Sequence, residues 1–452
     1  MRKIISIISM CFIILGIFDL PVYADQLYWP EAPDIYGQAA ILIDAETGAV
    51  LYEKNADDVM YPASITKVVT AIVAIENASL EETVTFSKNS IYSLPYDAAR
   101  IGIVPGEEVN LLDCLYVLVL RSANEVANGL AEHVGGSEEE FAKLMNEYAK
   151  EAGAENTNFV NPSGLHDDNH YTTARDFAKI AKQAIKNDVF CQVWGEDAYR
   201  MPATNKNDKP YSIWHRHNMI VSTRSAYDER AIGGKTGTTG QAGSTLVTHA
   251  KYGDLSLISV VLKSNTDNVY KDTKKLLDYG FTNFERTTVS DETFGTLLNS
   301  GSFFSEYNGI FKSSSNVIGL VETDIVIAKG TELKEYERKV SYSDTTEGGI
   351  LANIEFFGNG KFLGSVPVKL TAGSKDNSQV GPSVPIVSDI PNETNKREVI
   401  EIKYVFMVLA AIILLILFII LIIKIAKKRK SRRYNYVMSG RRIRKRYKYR
   451  RR

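Results

Sequence analysis

The chain is predicted to be an α+β protein with a small all-β module behind its main body and a membrane-spanning helix near the C-terminus. Three observations carry that expectation. Within residues 25–286, helix-spaced apolar segments fill the middle and strand-like segments flank them. From about Thr287 to Ala372 the helical spacing gives way to alternation. Tyr404 to Ile423 is a run of 20 uncharged residues, roughly 30 Å of helix, which matches the hydrocarbon thickness of a bilayer.

Residues 1–24 read as a secretory signal peptide. Arg2 and Lys3 give the charged start, Ile4 to Ile17 the short apolar run, and Val22-Tyr23-Ala24 the cleavage region before Asp25. An uncleaved anchor is the lesser alternative, because the apolar run is short and interrupted. Cys11 leaves with this segment. Cys114 and Cys191 remain; two well-separated cysteines make neither a disulfide framework nor a metal site. Both are expected to be ordinary core residues, Cys114 within the apolar run Leu111 to Leu120.

In the body, Ala39 to Asp44 and Ala49 to Glu53 form a hairpin across Glu46-Thr47-Gly48. Ser64 to Glu76 follows Pro62 and places Val68, Ile72 and Ile75 on one helical face. Leu111 to His133 reads as one buried helix, and Phe141 to Ala152 and Thr173 to Lys186 as amphipathic ones. Ala231 to Gly237, Ser244 to Ala250 and Leu255 to Leu262 are strands, closed by a helix over Asp272 to Phe281. Helices enclosed between strand groups point to one sheet built from both ends of the domain.

Residues 287–372 form the small module. Its strands are expected at Val317 to Leu320, Asp324 to Ala328, Leu351 to Phe357 and Phe362 to Leu370, the last two joined by the tight turn Gly358-Asn359-Gly360. Residues 373–400, with Pro382, Pro385 and Pro391, are a flexible linker. The spanning helix takes 401–423 and a basic tail takes 424–452.

The net charge of -1 conceals an asymmetry: 16 of the 53 Lys and Arg, and no Asp or Glu, lie from Lys424 to Arg452. An acidic body thus carries a basic tail. Beside a spanning helix, that tail fixes orientation, with the tail cytoplasmic and the body outside the cytoplasmic membrane. Basic residues interleaved with Tyr can bind nucleic acid, but a topology or inner-leaflet role is favoured here and no nucleic-acid partner is expected.

Three short motifs occur in order: Ser64-Ile65-Thr66-Lys67, Ser122-Ala123-Asn124 and Lys235-Thr236-Gly237. Residues three apart share a helix face, so Lys67 can reach Ser64. A serine hydroxyl needs a neighbouring base to act as nucleophile, and a lysine held near other cations can serve. At a helix N-terminus Ser64 also lies among free backbone N–H groups, which stabilise an oxyanion. Ser122 and Asn124 add a hydroxyl and an amide for proton relay and substrate positioning. Lys235 and Thr236, on a strand, offer a cation and a hydroxyl to a carboxylate, and Gly233, Gly234 and Gly237 permit close backbone approach. Singly, these motifs read as a helix cap, chance and a tight turn. Together and in this order they are a known catalytic set.

The sequence resembles the low-molecular-mass penicillin-binding proteins, specifically the D-alanyl-D-alanine carboxypeptidases of peptidase family S11. The resemblance runs from about Ala39 to Leu370. It includes Pro62-Ala63 with the first motif, Gly234 to Thr239 with Ala242-Gly243, Asn161 to Leu165, and Tyr171 to Asp176. It implies a serine-β-lactamase/transpeptidase-like catalytic domain, a helical cluster plus antiparallel sheet, followed by a β-rich stalk. By the same resemblance Ser64 becomes acylated, Lys67 acts as general base, and Ser122 assists proton transfer. Asn124, Lys235, Thr236, Gly237 and Thr238 are the expected substrate-binding residues, with Lys235 and Thr236 on the terminal carboxylate. The oxyanion would lie between the N–H groups of Ser64 and Thr238. The implied partners are peptidoglycan stem peptides ending in D-Ala-D-Ala, and β-lactams, with no cofactor and no metal.

The expected spanning segment departs from the family's usual amphipathic C-terminal anchor. His215-Arg216-His217-Asn218 aligns loosely with a family block near the substrate carboxylate, and leaves open which cation helps there. Of six histidines, only His215 and His217 are candidates for the site's neighbourhood, with polar loop residues the expectation. A class A β-lactamase would need a glutamate in an E-x-x-L-N pattern between the second and third motifs; none is present, and Glu155 and Glu196 read as surface. A DD-endopeptidase or transpeptidase would share every catalytic residue. A non-catalytic β-lactam sensor or scaffold ranks lower, because the tail is too short and polar for an effector domain.

Overall fold

The structure, a computed structural model, describes residues 27–290, 318–342 and 349–370. The expected signal peptide, linker, spanning segment and basic tail lie outside the described residues. Among those described, no helix is long and apolar enough to cross a membrane.

Strands β1 (Ala39–Asp44) and β2 (Val50–Lys54) form the expected antiparallel hairpin. A 3-10 turn over Ala63–Thr66 then runs into α1 (Lys67–Asn77), which is buried from Lys67 to Ala74. A small pair, β3 (Thr83–Thr85) and β4 (Glu108–Asn110), brackets α2 (Lys88–Tyr92). Next come α3 (Leu111–Tyr116), α4 (Asn124–Gly135), α5 (Glu138–Glu151), α6 (Ala174–Ala184) and α7 (Asp188–Gly195). The hairpin β5 (Ala198–Met201) and β6 (Tyr211–Trp214) leads to β7 (Ala231–Thr239), β8 (Gly243–Tyr252) and β9 (Leu255–Ser264), closed by α8 (Val269–Asn283).

The five main strands form one sheet in the order β2-β1-β9-β8-β7, so strands from both ends of the domain meet at the β1–β9 pair. Alternation along β1 explains its two cores. Ile41 and Ile43 pack with Val68 and Ile72 of the helical cluster, whereas Ala40 and Leu42 pack with Leu276 and Leu277 of α8. The sheet is therefore covered on both faces, which explains why β1 is buried along its whole length.

The expected single helix over Leu111 to His133 is broken. After α3 the backbone widens into a π turn, Val117–Arg121, and stops where Ser122 turns left-handed at φ 61°. Ala123 is extended, and the Asn124 N–H donates to Ala99 O at 2.8 Å. Buried apolar residues flank the short, mostly polar stretch Arg121 to Glu125 on both sides, so the pattern hides the break. Cys114 is buried as expected, while Cys191 is only half-buried with its Sγ near Ile185 O.

The β-module begins earlier than expected. β10 (Phe284–Val289) crosses the anticipated boundary at residue 287 and pairs antiparallel with β12 (Thr323–Ala328). Phe284 is fully buried in the core that holds Leu276 and Leu277, so the chain leaves α8 directly into a strand. β11 (Ile318–Leu320), β13 (Glu337–Tyr342), β14 (Ile350–Gly358) and β15 (Lys361–Leu370) form a sheet in the order β11-β15-β14-β13. β13 escaped the sequence reading because it is a polar edge strand, Glu-Arg-Lys-Val-Ser-Tyr. Lys361 of this module pairs with Glu53 of β2, which also holds Arg175.

Candidate active site

The nucleophile turn is made by Ala63, which adopts a left-handed φ of 52° and lifts Ser64 to the start of the buried helix α1. Two side-chain bonds hold the turn, one from β8 and one within it: Thr245 Oγ1 of β8 donates to Pro62 O at 2.8 Å, and Thr66 Oγ1 donates to Ala63 O at 2.8 Å. Strand β7 lies directly against it. A Cβ on Gly237 would fall 2.8 Å from Ser64 N and 2.4 Å from Thr245 Oγ1, so only glycine permits this approach.

All three sequence motifs converge on a cleft of about 470 Å³ lined by Ser64, Ser122, Asn124, Arg216, Thr236 and Thr238, with Asp97, Gly164, His166 and Gly237 also on its wall. Lys67 is fully buried beneath it. Its Nζ donates to Ser64 Oγ at 3.2 Å, to Asn124 Oδ1 at 2.7 Å and to the carbonyl of Ser163. Burial pulls this ammonium from its ordinary 10.5 down to about 7; Glu125 opposes the shift and Arg216 adds to it. A lysine that is half neutral at neutral pH, within hydrogen-bond reach of a serine hydroxyl, can take that hydroxyl's proton.

Lys235 of β7 is equally buried. Its Nζ donates to Ser122 Oγ at 3.0 Å and to Thr236 O at 2.8 Å. Burial holds its pKa well below the usual lysine range, with the charges of Lys67 and Arg216 pushing the same way. The hydroxyl of Ser122 therefore pairs with Lys235, and the amide of Asn124 with Lys67. Arg216, on the cleft wall, supplies a cation suited to an anionic group of a ligand.

The expectation for His215 and His217 is corrected. They lie in the loop after β6 but are buried in it, 2% and 0% exposed. After β6 the segment is irregular but tied at both sides, with the His215 N–H on Asp197 O and the Arg216 N–H on Leu120 O. Alternate residues then point inward, and His217 Nε2 reaches Thr248 Oγ1 at 2.8 Å. The intervening Arg216 lines the cleft.

Two histidines nearer the nucleophile were overlooked. His166 lines the cleft, and buried His170 contacts Thr66. Both fall between Asn161–Leu165 and Tyr171–Asp176, blocks already singled out, so their position was available as a signal. Ser163 acts through its backbone carbonyl, which no side-chain pattern can reveal. Buried Glu125 looked like one more helix residue beside Asn124. Among the described residues no glutamate lines the cleft; Glu155 is exposed and Glu196 half-buried.

The family model described as D-alanyl-D-alanine carboxypeptidase, peptidase S11, matches residues 27–266. The D-alanyl-D-alanine carboxypeptidase DacC of Escherichia coli is 34% identical over 358 residues, covering 75% of this chain and 84% of that protein. DacF of Bacillus subtilis is 33% identical over 251 residues, 55% of this chain and 63% of the relative's own length. Penicillin-binding protein 5 from Haemophilus influenzae superposes with a TM-score of 0.60 at 26% identity, over 75% of this chain and 98% of that one. On these grounds the chain belongs to the S11 family of D-alanyl-D-alanine carboxypeptidases, serine peptidases of penicillin-binding-protein fold.

Proposed function

We propose that the protein removes the terminal D-alanine from peptidoglycan stem peptides ending in D-Ala-D-Ala, through an acyl-enzyme on Ser64. The observation that carries the assignment of roles is the Lys67–Ser64 contact of 3.2 Å, made by a lysine that burial brings to about 7. Ser64 Oγ attacks the carbonyl of the penultimate D-alanine while its proton passes to Lys67 Nζ. The oxyanion is met by the N–H groups of Ser64 and Thr238. As the peptide C–N bond breaks, the departing D-alanine takes a proton back through the Lys67 and Ser122 groups. Water then cleaves the ester, releasing a peptide shortened by one residue and restoring the Ser64 hydroxyl.

The substrate's terminal carboxylate is assigned to Lys235 and Thr236, with Arg216 beside them in the cleft. Asn124, fixed by Lys67, orients the peptide, and Gly237 lets the β7 backbone run alongside it. β-Lactams, whose strained amide and carboxylate have the same spacing, acylate Ser64 by the same route and leave slowly.

The β-module is assigned as a stalk. The uncharged run Tyr404 to Ile423 and the basic tail support a single-pass anchor in the cytoplasmic membrane, with the catalytic body extracytoplasmic. Reaction with a membrane-impermeant fluorescent penicillin on intact cells tests the topology, and D-alanine release beside a Ser64→Ala control tests the reaction. Labelling only after the cells are broken open would place the body on the cytoplasmic side.

A further inference from the structure

Beside the nucleophile runs a hydrogen-bond chain that the roles above do not use. His170 is 2% exposed. Its Nδ1 accepts the Val160 N–H at 3.1 Å, so the neutral ring carries its hydrogen on Nε2. Nε2 lies 2.8 Å from Thr66 Oγ1, and Thr66 Oγ1 donates to Ala63 O at 2.8 Å. A hydroxyl has one hydrogen. Once that hydrogen goes to Ala63, the His170 contact must run from Nε2–H to Oγ1. Both ends of the ring therefore require the same neutral tautomer. Burial keeps the ring in that state, drawing its pKa to about 4; Asp167 opposes the shift, while Lys67 and His166 add to it.

The chain ends on the peptide that matters most. Ala63 is held at φ 52°, a left-handed conformation that residues other than glycine resist. Its carbonyl shares one planar trans peptide with the Ser64 N–H, so fixing the C=O in one direction aims the N–H in the other. Neighbouring glycines close on this peptide. A Cβ on Gly164 would lie 2.0 Å from Ala63 O, and one on Gly237 would lie 2.8 Å from Ser64 N.

We propose that His170 is a positioning residue: acting through Thr66, it locks the strained Ala63–Ser64 peptide so that the Ser64 N–H is presented as an oxyanion donor, a role that rests on the acyl-enzyme reading above. His170 itself touches no reacting atom. Its contribution is to keep a donor aimed where charge develops, an alignment to which rates are steeply sensitive.

The test uses the full-length protein and four variants: His170→Ala, His170→Gln, His170→Met and Thr66→Val. The readouts are kcat and KM for D-alanine release and the rate of Ser64 acylation by fluorescent penicillin. His170→Ala, His170→Met and Thr66→Val are expected to lower kcat by about 10- to 100-fold with KM little changed. His170→Gln, whose amide can still donate to Thr66, is expected to recover most of that loss, whereas Met, of similar size and without a donor, is not. A merely structural histidine would not separate Gln from Met. Equal kcat for those two variants, or a wild-type kcat in Thr66→Val, overturns the proposal. If His170→Ala fails to fold, the other three variants decide. If the wild-type protein releases no D-alanine, the carboxypeptidase reading fails, and the same series read by penicillin acylation still decides the role of His170.

Discussion

Replacing Glu125 by Gln should shift the pH dependence of Ser64 acylation to lower pH. The reasoning begins with Lys67, which is fully buried with a pKa near 7. An amine at the ordinary 10.5 would be neutral in only about 1 molecule in 3,000 at pH 7, whereas one at about 7 is neutral in half. Burial therefore raises the population able to accept the serine proton by about three orders of magnitude. Because the working form is the neutral amine, acylation should rise with pH through about 7 and level off above it. Glu125 opposes the effect of burial, stabilising the charged lysine. Its Oε1 accepts the N–H groups of Ile101 at 2.7 Å and Gly102 at 3.1 Å, and a glutamine oxygen preserves both bonds while removing the charge. The expected midpoint falls by about one unit. The midpoint is the quantity to compare, since a less basic amine is also an intrinsically weaker base and lowers the plateau. Stopped-flow acylation by a fluorescent penicillin between pH 5 and 9, with Ser64→Ala as blank, supplies it. A midpoint that stays in place or rises in Glu125→Gln, or a wild-type midpoint above pH 9, would refute Lys67 as the base.

Two glycine substitutions carry further expectations. Gly164→Ala places a Cβ 2.0 Å from Ala63 O and 2.8 Å from Thr66 Oγ1, at a φ of 77°. Displacing the nucleophile turn to relieve this should cost about 100-fold in acylation rate, and a rate within threefold of wild type would contradict the tight packing described. Gly233→Ala drives a Cβ to within 1.3 Å of Trp194 Cδ1, a fully buried ring. Overpacking of this kind should lower unfolding stability by about 3 kcal/mol, read from denaturant melts, and an unchanged midpoint would contradict it.

Much of the fold was legible because its signals are local. The hairpin β1–β2, the helix after Pro62 and the strands β7 to β9 each announce themselves by periodicity or turn residues, and their enclosure of the helices foretold a single sheet. The break at Ser122 was hidden, since the apolar runs of α3 and α4 closely flank the short polar stretch Arg121 to Glu125 and together read as one buried helix. The site was legible where side chains do the chemistry, as at Ser64, Lys67, Ser122, Asn124 and Lys235. It was illegible where backbone groups or distant partners act. The Ser163 carbonyl has no residue signature. Arg216 lines the cleft from a loop after β6 whose burial alternates, which also buries His215 and His217 against expectation.

The most direct test of the central claim incubates the purified full-length protein with a peptide ending in L-Lys-D-Ala-D-Ala and quantifies free D-alanine beside a Ser64→Ala control. Release by the wild-type protein and none by Ser64→Ala is the expected result. No release from a protein whose Ser64 is still labelled by penicillin would contradict the carboxypeptidase activity. Equal release by both proteins would contradict the acyl-enzyme on Ser64.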